Sequence, residues 1–388
     1  MLATGESSGI SLISDKTEIA EEGRADKSKS RVEVRALYPC FRGWSGYNPI
    51  GMNLQLRKKR AMALLLGLAS AALAVFLLLC WLAAQRLIGP SRRALQDYHE
   101  EILRHSADHG LEVRPFVMET GAWKGTPCLL CVPSSRPGRV EKGNKLRIQL
   151  QSEGRTLLPW GQTVGTLVLL HGHTGRKEDH LPVAERLCAA GFGCLLLDLP
   201  GHGDHPDRFA SFGVREVGLP AAALAEAANR FAFDPQPAGL FGISQGGAIA
   251  LQAAAADRDA WFAVAELSAF ADLDAVIANQ AQRWFGPLHT PAQELVRWLV
   301  EKRAGYDPSR VRPEDAAAKL DAMPVLIGHG DEDRFVPSDH AKQIYDAVPS
   351  PRKQFLTITG AGHHTVLITP QPVYATLAKF FLDALPAR

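Results

Sequence analysis

The chain carries almost no net charge: 43 Lys and Arg stand against 41 Asp and Glu in 388 residues, a balance of +2. It also lacks any basic stripe interleaved with aromatics, so the electrostatic footprint of a nucleic-acid binder is absent. Its six cysteines (positions 40, 80, 128, 131, 188 and 194) have no disulfide-scaffold spacing. Cys128 and Cys131 form a C-x-x-C inside an apolar run that reads as a strand. Three residues apart on a strand they face opposite sides, so they read as small core hydrophobes rather than a redox pair. There are no internal repeats. The histidines and acids do not have metal-ligand spacing on a helix. Neither a metal nor a cofactor is expected.

One long run does stand out. Ala61 to Ala84 contains no charged residue over 24 positions. As a helix it spans about 36 Å at 1.5 Å per residue, enough for a bilayer core of about 30 Å. Arg57-Lys58-Lys59-Arg60 precedes it, and Arg86, Arg92 and Arg93 follow more sparsely. The denser basic cluster is expected in the cytoplasm, which puts the rest of the chain on the extracytoplasmic, periplasmic side of the cell membrane. The run is long for a cleaved signal peptide, which favours a retained signal-anchor over residues 57–86. Leu79 is bulky where a lipoprotein site at Cys80 calls for small residues. Residues 1–51 mix acids, bases, Ser and Gly without periodicity, and disorder is expected there and on to residue 56. Met52 offers an alternative start. Residues 87–111 read as an amphipathic helical stalk.

From residue 111 onward, continuous apolar runs end in polar motifs. Thr166 to Leu170 leads into His171-Gly172-His173-Thr174-Gly175. Gly193 to Leu197 leads into Asp198-Leu199-Pro200-Gly201-His202-Gly203. Ala238 to Ile243 leads into Ser244-Gln245-Gly246-Gly247, and Trp261 to Leu267 is a further strand candidate. Pro324 to Ile327 leads into Gly328-His329-Gly330-Asp331-Glu332-Asp333, and Phe355 to Ile358 into Gly360-Ala361-Gly362-His363-His364. Helical stretches at 182–190, 219–231 and 339–348 separate the runs. Unbroken apolar strands alternating with helices imply a parallel sheet covered on both faces. Working residues then gather at the carboxyl ends of the strands, on one rim.

Gly242-x-Ser244-x-Gly246 has the pattern of a nucleophile elbow, a strained strand-to-helix turn with small flanking residues. Alone the pattern is weak, because a Gly-rich turn holding an ordinary Ser shows it too. With the other four motifs in order, the chain resembles the α/β-hydrolase family over residues 110–385. The elbow and the Gly-x-x-Asp-x-x-Val-Pro loop resemble the dienelactone hydrolase, acetyl xylan esterase and prolyl oligopeptidase branches. The resemblance implies an α/β-hydrolase fold: a mostly parallel sheet, helices on both faces and a small helical lid, here preceded by one transmembrane helix.

It also implies a Ser-acid-His order. A serine hydroxyl needs a base, a histidine serves near neutral pH, and a carboxylate holds its tautomer. The residues are then Ser244, Asp333 and His363. The spacing Gly330, Asp333, Val336, Pro337 selects Asp333 over Asp331, which reads as a loop cap. His364 is the rival of His363. The oxyanion donors are the backbone N–H groups of Gln245 and His173, with Thr174 as the alternative to His173.

Asp198 and His202 read as a turn tied by local hydrogen bonds. His99, His105, His109, His180, His289 and His340 read as surface residues. Arg114 to Val132 gives two strands with a turn near Gly121 to Gly125. Lys145 to Gln151 alternates like an exposed strand. Residues 270–320 read as the lid, with Trp284, Phe285, Leu295, Trp298 and Leu299 packing it down. The expected function is ester hydrolysis through an acyl-enzyme on Ser244, with a small-molecule ester as substrate and a bilayer as partner. Peptidase action and a silent tethered binding module are the alternatives.

Overall fold

Helix formation in the apolar run needs no partner in lipid, because every backbone group is satisfied within the segment. In the computed structural model, which describes residues 49–387, that run lies in one 40-residue helix, α1 (Pro49–Ile88). It is long and apolar enough to cross a membrane over Asn53–Ile88. The helix already begins at Pro49, inside the stretch expected to be disordered; the expectation for residues 1–48 lies outside the described residues. Among the described residues the backbone divides into two units within α1, one up to Leu64 and one from Leu65 onward. Everything below belongs to the second.

The expected stalk is a correction. After α1 the chain runs as coil to a short helix, α2 (Asp97–Arg104), and neither stands free. His99, Ile102 and His109 are buried. His109 lies between Glu101 (2.6 Å) and Glu185 (3.0 Å), and His99 Nε2 is 3.1 Å from Asp179. The amphipathic pattern was real, but the body of the protein takes up its apolar face.

The sheet has eight strands: β1 (Leu111–Val117), β2 (Pro127–Pro133), β3 (Gly165–Leu170), β4 (Phe192–Leu197), β5 (Ala238–Ile243), β6 (Val264–Leu267), β7 (Val325–Gly330) and β8 (Lys353–Ile358). Their order is β1-β2-β4-β3-β5-β6-β7-β8. β2 runs antiparallel to both neighbours and all pairs from β4 to β8 are parallel. Successive side chains alternate faces, so β3 sends Leu167 and Leu169 into one apolar layer and Val168 and Leu170 into the other. Cys128 and Cys131 fall in opposite layers in the same way, both as free thiols.

The helices are α3 (Glu141–Ser152), α4 (Leu181–Ala189), α5 (Leu219–Phe231), α6 (Gln245–Ala256), α7 (Leu273–Phe285), α8 (His289–Ala304), α9 (Pro313–Ala317), α10 (Asp339–Ala347) and α11 (Val373–Ala384). α3 corrects the strand expected at 145–151. Leu146 and Leu150 are buried one turn apart while Ile148 is exposed, which is helical spacing. The segment 270–320, expected as a lid, holds α7, α8 and the short turns up to α9. Phe285, Leu295 and Leu299 pack inward as expected, but Trp284 and Trp298 are 76% and 53% exposed.

Candidate active site

Ser244 owes its position to one backbone turn. β5 ends at Ile243, Ser244 sits at φ 53° and ψ −116°, and α6 starts at Gln245. A non-glycine residue at positive φ is strained. Two contacts leave room for nothing but glycine beside it. A Cβ on Gly246 would lie 2.0 Å from the Leu170 carbonyl oxygen, and one on Gly242 would lie 2.2 Å from the Gly246 oxygen. The backbone holds the turn as well: Ser244 N donates to Leu267 O (2.8 Å) and Ala248 N donates to Ser244 O (2.9 Å).

The loops after β7 and β8 bring in the other two side chains. His363 Nε2 lies 3.0 Å from Ser244 Oγ, and His363 Nδ1 lies 2.7 Å from Asp333 Oδ2. Asp333 Oδ1 accepts from Phe335 N and Val336 N, each at 2.9 Å. The carboxylate is therefore fixed by its own loop on one oxygen and faces the imidazole with the other. Phe335 lies against the His363 ring at 5.0 Å. The rival His364 is exposed, with its ring 5.2 Å from that of His363. Asp331 is used elsewhere: its Oδ1 accepts from Gly360 N at 2.7 Å, tying the β7 loop to the β8 loop.

Sequence reasoning missed two residues beneath this row. His329 Nε2 lies 2.8 Å from Val336 O and 3.3 Å from Asp333 Oδ2. Glu266, at the end of β6, is fully buried and accepts from Ala269 N at 2.7 Å. Burial alone would raise the Asp333 carboxyl, but hydrogen bonds from His329 and His363 outweigh it and hold it well below the usual carboxylate range. Burial pushes Glu266 up to about 7, with nearby His329 opposing. Burial would lower His329, yet Asp333 and Glu266 raise it. The available signal was spacing: His329 stands four residues before Asp333, across the strand-to-loop bend.

The β3 loop lies against the elbow. A Cβ on Gly172 would come within 3.5 Å of the Ser244 Cβ, and His173 is the next residue. Thr174 has a positive φ of 64°. The His173 ring stacks on Phe212 at 5.6 Å, and its Nε2 is 3.0 Å from Leu87 O at the end of α1. Arg93 Nε donates to Thr174 O at 2.8 Å. Burial lowers the His173 imidazole, as it does those of His171 and His202.

Asp198 has the structural part expected of it, accepting from Lys177 N (2.7 Å), Lys177 Nζ (2.9 Å) and Asp204 N (2.9 Å). His202 Nδ1 sits 2.9 Å from Pro200 O. Of the histidines read as surface residues, His99, His109, His180 and His340 are buried. His99 and His340 lie in α2 and α10, and the four are covered by chain distant in sequence (Asp179 for His99, Glu185 for His109, Phe241 for His180 and Ala271 for His340), which local hydropathy does not show.

A family model described as the alpha/beta hydrolase family matches residues 167–376, more than half of the chain. The chain belongs to that family. Among curated relatives, an uncharacterized protein of Escherichia coli K12, YfhR, is 27% identical over 203 residues, which are 52% of this chain and 64% of the relative. The chain thus spans less than two thirds of that relative's length. A thermostable monoacylglycerol lipase of Bacillus sp. H-257 is 26% identical, over 54% of this chain and 86% of the lipase. A pimeloyl-[acyl-carrier protein] methyl ester esterase of Xylella fastidiosa is 27% identical, over 57% and 96%. The fold is shared with an esterase of Pyrococcus furiosus, at a TM-score of 0.54 and 15% identity over 76% of this chain and 98% of that one.

Proposed function

We propose that this alpha/beta hydrolase is a membrane-anchored serine hydrolase that cleaves carboxylic esters through an acyl-enzyme on Ser244. The observation that carries the reading is the continuous contact from Ser244 Oγ to His363 (3.0 Å) and from His363 to Asp333 (2.7 Å). His363 Nε2 takes the Ser244 proton as Oγ attacks the ester carbonyl carbon. Asp333 accepts from Nδ1–H, which keeps Nε2 free to accept and stabilises the imidazolium. The tetrahedral oxygen takes hydrogen bonds from the N–H groups of Gln245 and His173. The C–O bond to the alcohol breaks, and His363 returns the proton to the leaving alkoxide. A water then repeats the sequence, releasing the acid and restoring Ser244.

Two relatives, the monoacylglycerol lipase and the pimeloyl methyl ester esterase, are named for acyl esters, which favours esters over amides. The anchor is α1. The cluster Arg57-Lys58-Lys59-Arg60 favours a cytoplasmic start and an extracytoplasmic catalytic body. Turnover of p-nitrophenyl acetate by the full chain, wild type against Ser244→Ala, tests the function. We expect Ser244→Ala to lose at least a thousandfold in kcat; equal rates would remove the proposal.

A further inference from the structure

The end of α1 is part of the catalytic body. Phe76, Cys80, Ala84 and Ile88 recur every fourth residue, so they form one ridge along the helix. Cys80, Ala84 and Ile88 are fully buried in an apolar cluster with residues of α7 and α8, and Phe76 packs against it. The Phe76 and Phe285 rings meet edge-on at 5.4 Å. The other faces of the helix remain apolar and exposed, as at Leu73, Leu77 and Leu78.

This fixes a depth. Phe76 lies eight residues before Ala84, the last position of the uncharged stretch, hence about 12 Å inside it along the axis. Its partner Phe285 ends α7, where the chain turns into α8. Trp284 and Leu288 at that turn are 76% and 54% exposed. A helix that crosses a bilayer by its uncharged stretch therefore carries the α7–α8 turn to the level of that stretch. The occupant of this apolar tip is then lipid, and Trp suits the boundary between hydrocarbon and headgroups.

The same cluster leads to the site. It contains Phe212, which stacks on His173, Val336, whose N–H holds Asp333, and Ala248, whose N–H holds the Ser244 carbonyl. An apolar layer thus runs from the exposed tip to the residues flanking the nucleophile. We propose that the α7–α8 turn is immersed in the same bilayer leaflet as the end of α1, and that Ser244 acts on a long-chain acyl ester resident in that leaflet. The substrate half of this inference rests on the esterase reading above.

The test uses the full chain reconstituted in phosphatidylcholine vesicles with two esters of one chromophore, soluble p-nitrophenyl acetate and membrane-dissolved p-nitrophenyl palmitate. The double variant Trp284→Asp/Leu288→Asp is expected to keep acetate turnover within about twofold and to lose palmitate turnover tenfold or more. Trp284→Phe/Leu288→Ile is expected to restore it. Bromine-labelled phosphatidylcholine is expected to quench a tryptophan component that Trp284→Phe removes. Equal rates for the Asp variant and wild type on both esters, or equal losses on both, would overturn the inference, as would acetate turnover without palmitate turnover in wild type. Absence of a Trp284-dependent quenching component would overturn the immersion itself. A wild type inactive on both esters would instead sink the esterase reading, and with it the substrate half.

Discussion

Replacing Asp333 by Asn leaves shape and volume nearly unchanged and reverses one proton. In the native loop Oδ1 accepts two backbone N–H groups, from Phe335 and Val336. An Asn must put its amide oxygen there, because its NH2 cannot accept. The NH2 then occupies the Oδ2 position, facing His363 Nδ1 at about the native 2.7 Å. It donates, so Nδ1 must accept, and the imidazole proton moves to Nε2. That proton points at Ser244 Oγ, 3.0 Å away, where a lone pair is needed. The base is thus present in the wrong tautomer. Such a change costs roughly 10⁴ in kcat, which is about 5.4 kcal/mol of barrier at 1.36 kcal/mol per tenfold. The assay is steady-state p-nitrophenyl acetate hydrolysis by the full chain, with thermal unfolding to verify the fold. KM should change little, since the alteration acts on proton transfer. A folded Asp333→Asn enzyme within tenfold of wild-type kcat would refute the reasoning. Asp331→Asn is the control, with kcat within a few-fold, because Asp331 bonds Gly360 N and not the imidazole.

Gly246→Ala should abolish folding or cost more than about 4 kcal/mol, seen as loss of the cooperative melt, because its Cβ would lie 2.0 Å from a strand carbonyl. Ile88→Ala should cost about 2–5 kcal/mol in thermal or urea unfolding, as for other fully buried aliphatic truncations, even though Ile88 ends the long apolar helix α1. Glu266 shifts from an ordinary 4.5 up to about 7 in the folded chain. Its contribution is therefore fully present below about 4.5 and is lost as pH rises through about 7. Urea unfolding at a series of pH values should show this fall, at most about 3 kcal/mol by linkage, and Glu266→Gln should remove it. Asp333, held low, acts in the opposite sense: its contribution is present above the ordinary carboxylate range and is lost as pH falls below about 3.8.

The parallel half of the sheet was legible because its strands are buried on both faces and read as unbroken apolar runs, Thr166 to Leu170 being the clearest. The order and spacing of the motifs that follow the strands, read through the resemblance to the α/β-hydrolases, drew attention to Ser244, Asp333 and His363. Residues whose setting depends on distant chain were not legible. Lys145 to Gln151 alternates in sequence, yet Leu146 and Leu150 find α4 only if the segment is helical. The segment after Ile88 looked like a tether, because nothing local reveals that Arg93 donates to Thr174 O and Arg176 to Arg93 O. Glu266 is one acid in an apolar strand, and its tie to His329 exists only where β6 and β7 pair. The apolar helix read as a plain membrane span for the same reason: its Cys80-Ala84-Ile88 ridge has meaning only beside α7.

Ser244 is proposed as a nucleophile activated by His363. Fluorophosphonate labelling of the full chain, with the modified peptide mapped by mass spectrometry, tests it most directly. A single adduct on Ser244 is expected, absent in Ser244→Ala and slowed at least a hundredfold in His363→Ala. No adduct on the folded wild type, or undiminished labelling of Ser244→Ala, would contradict it.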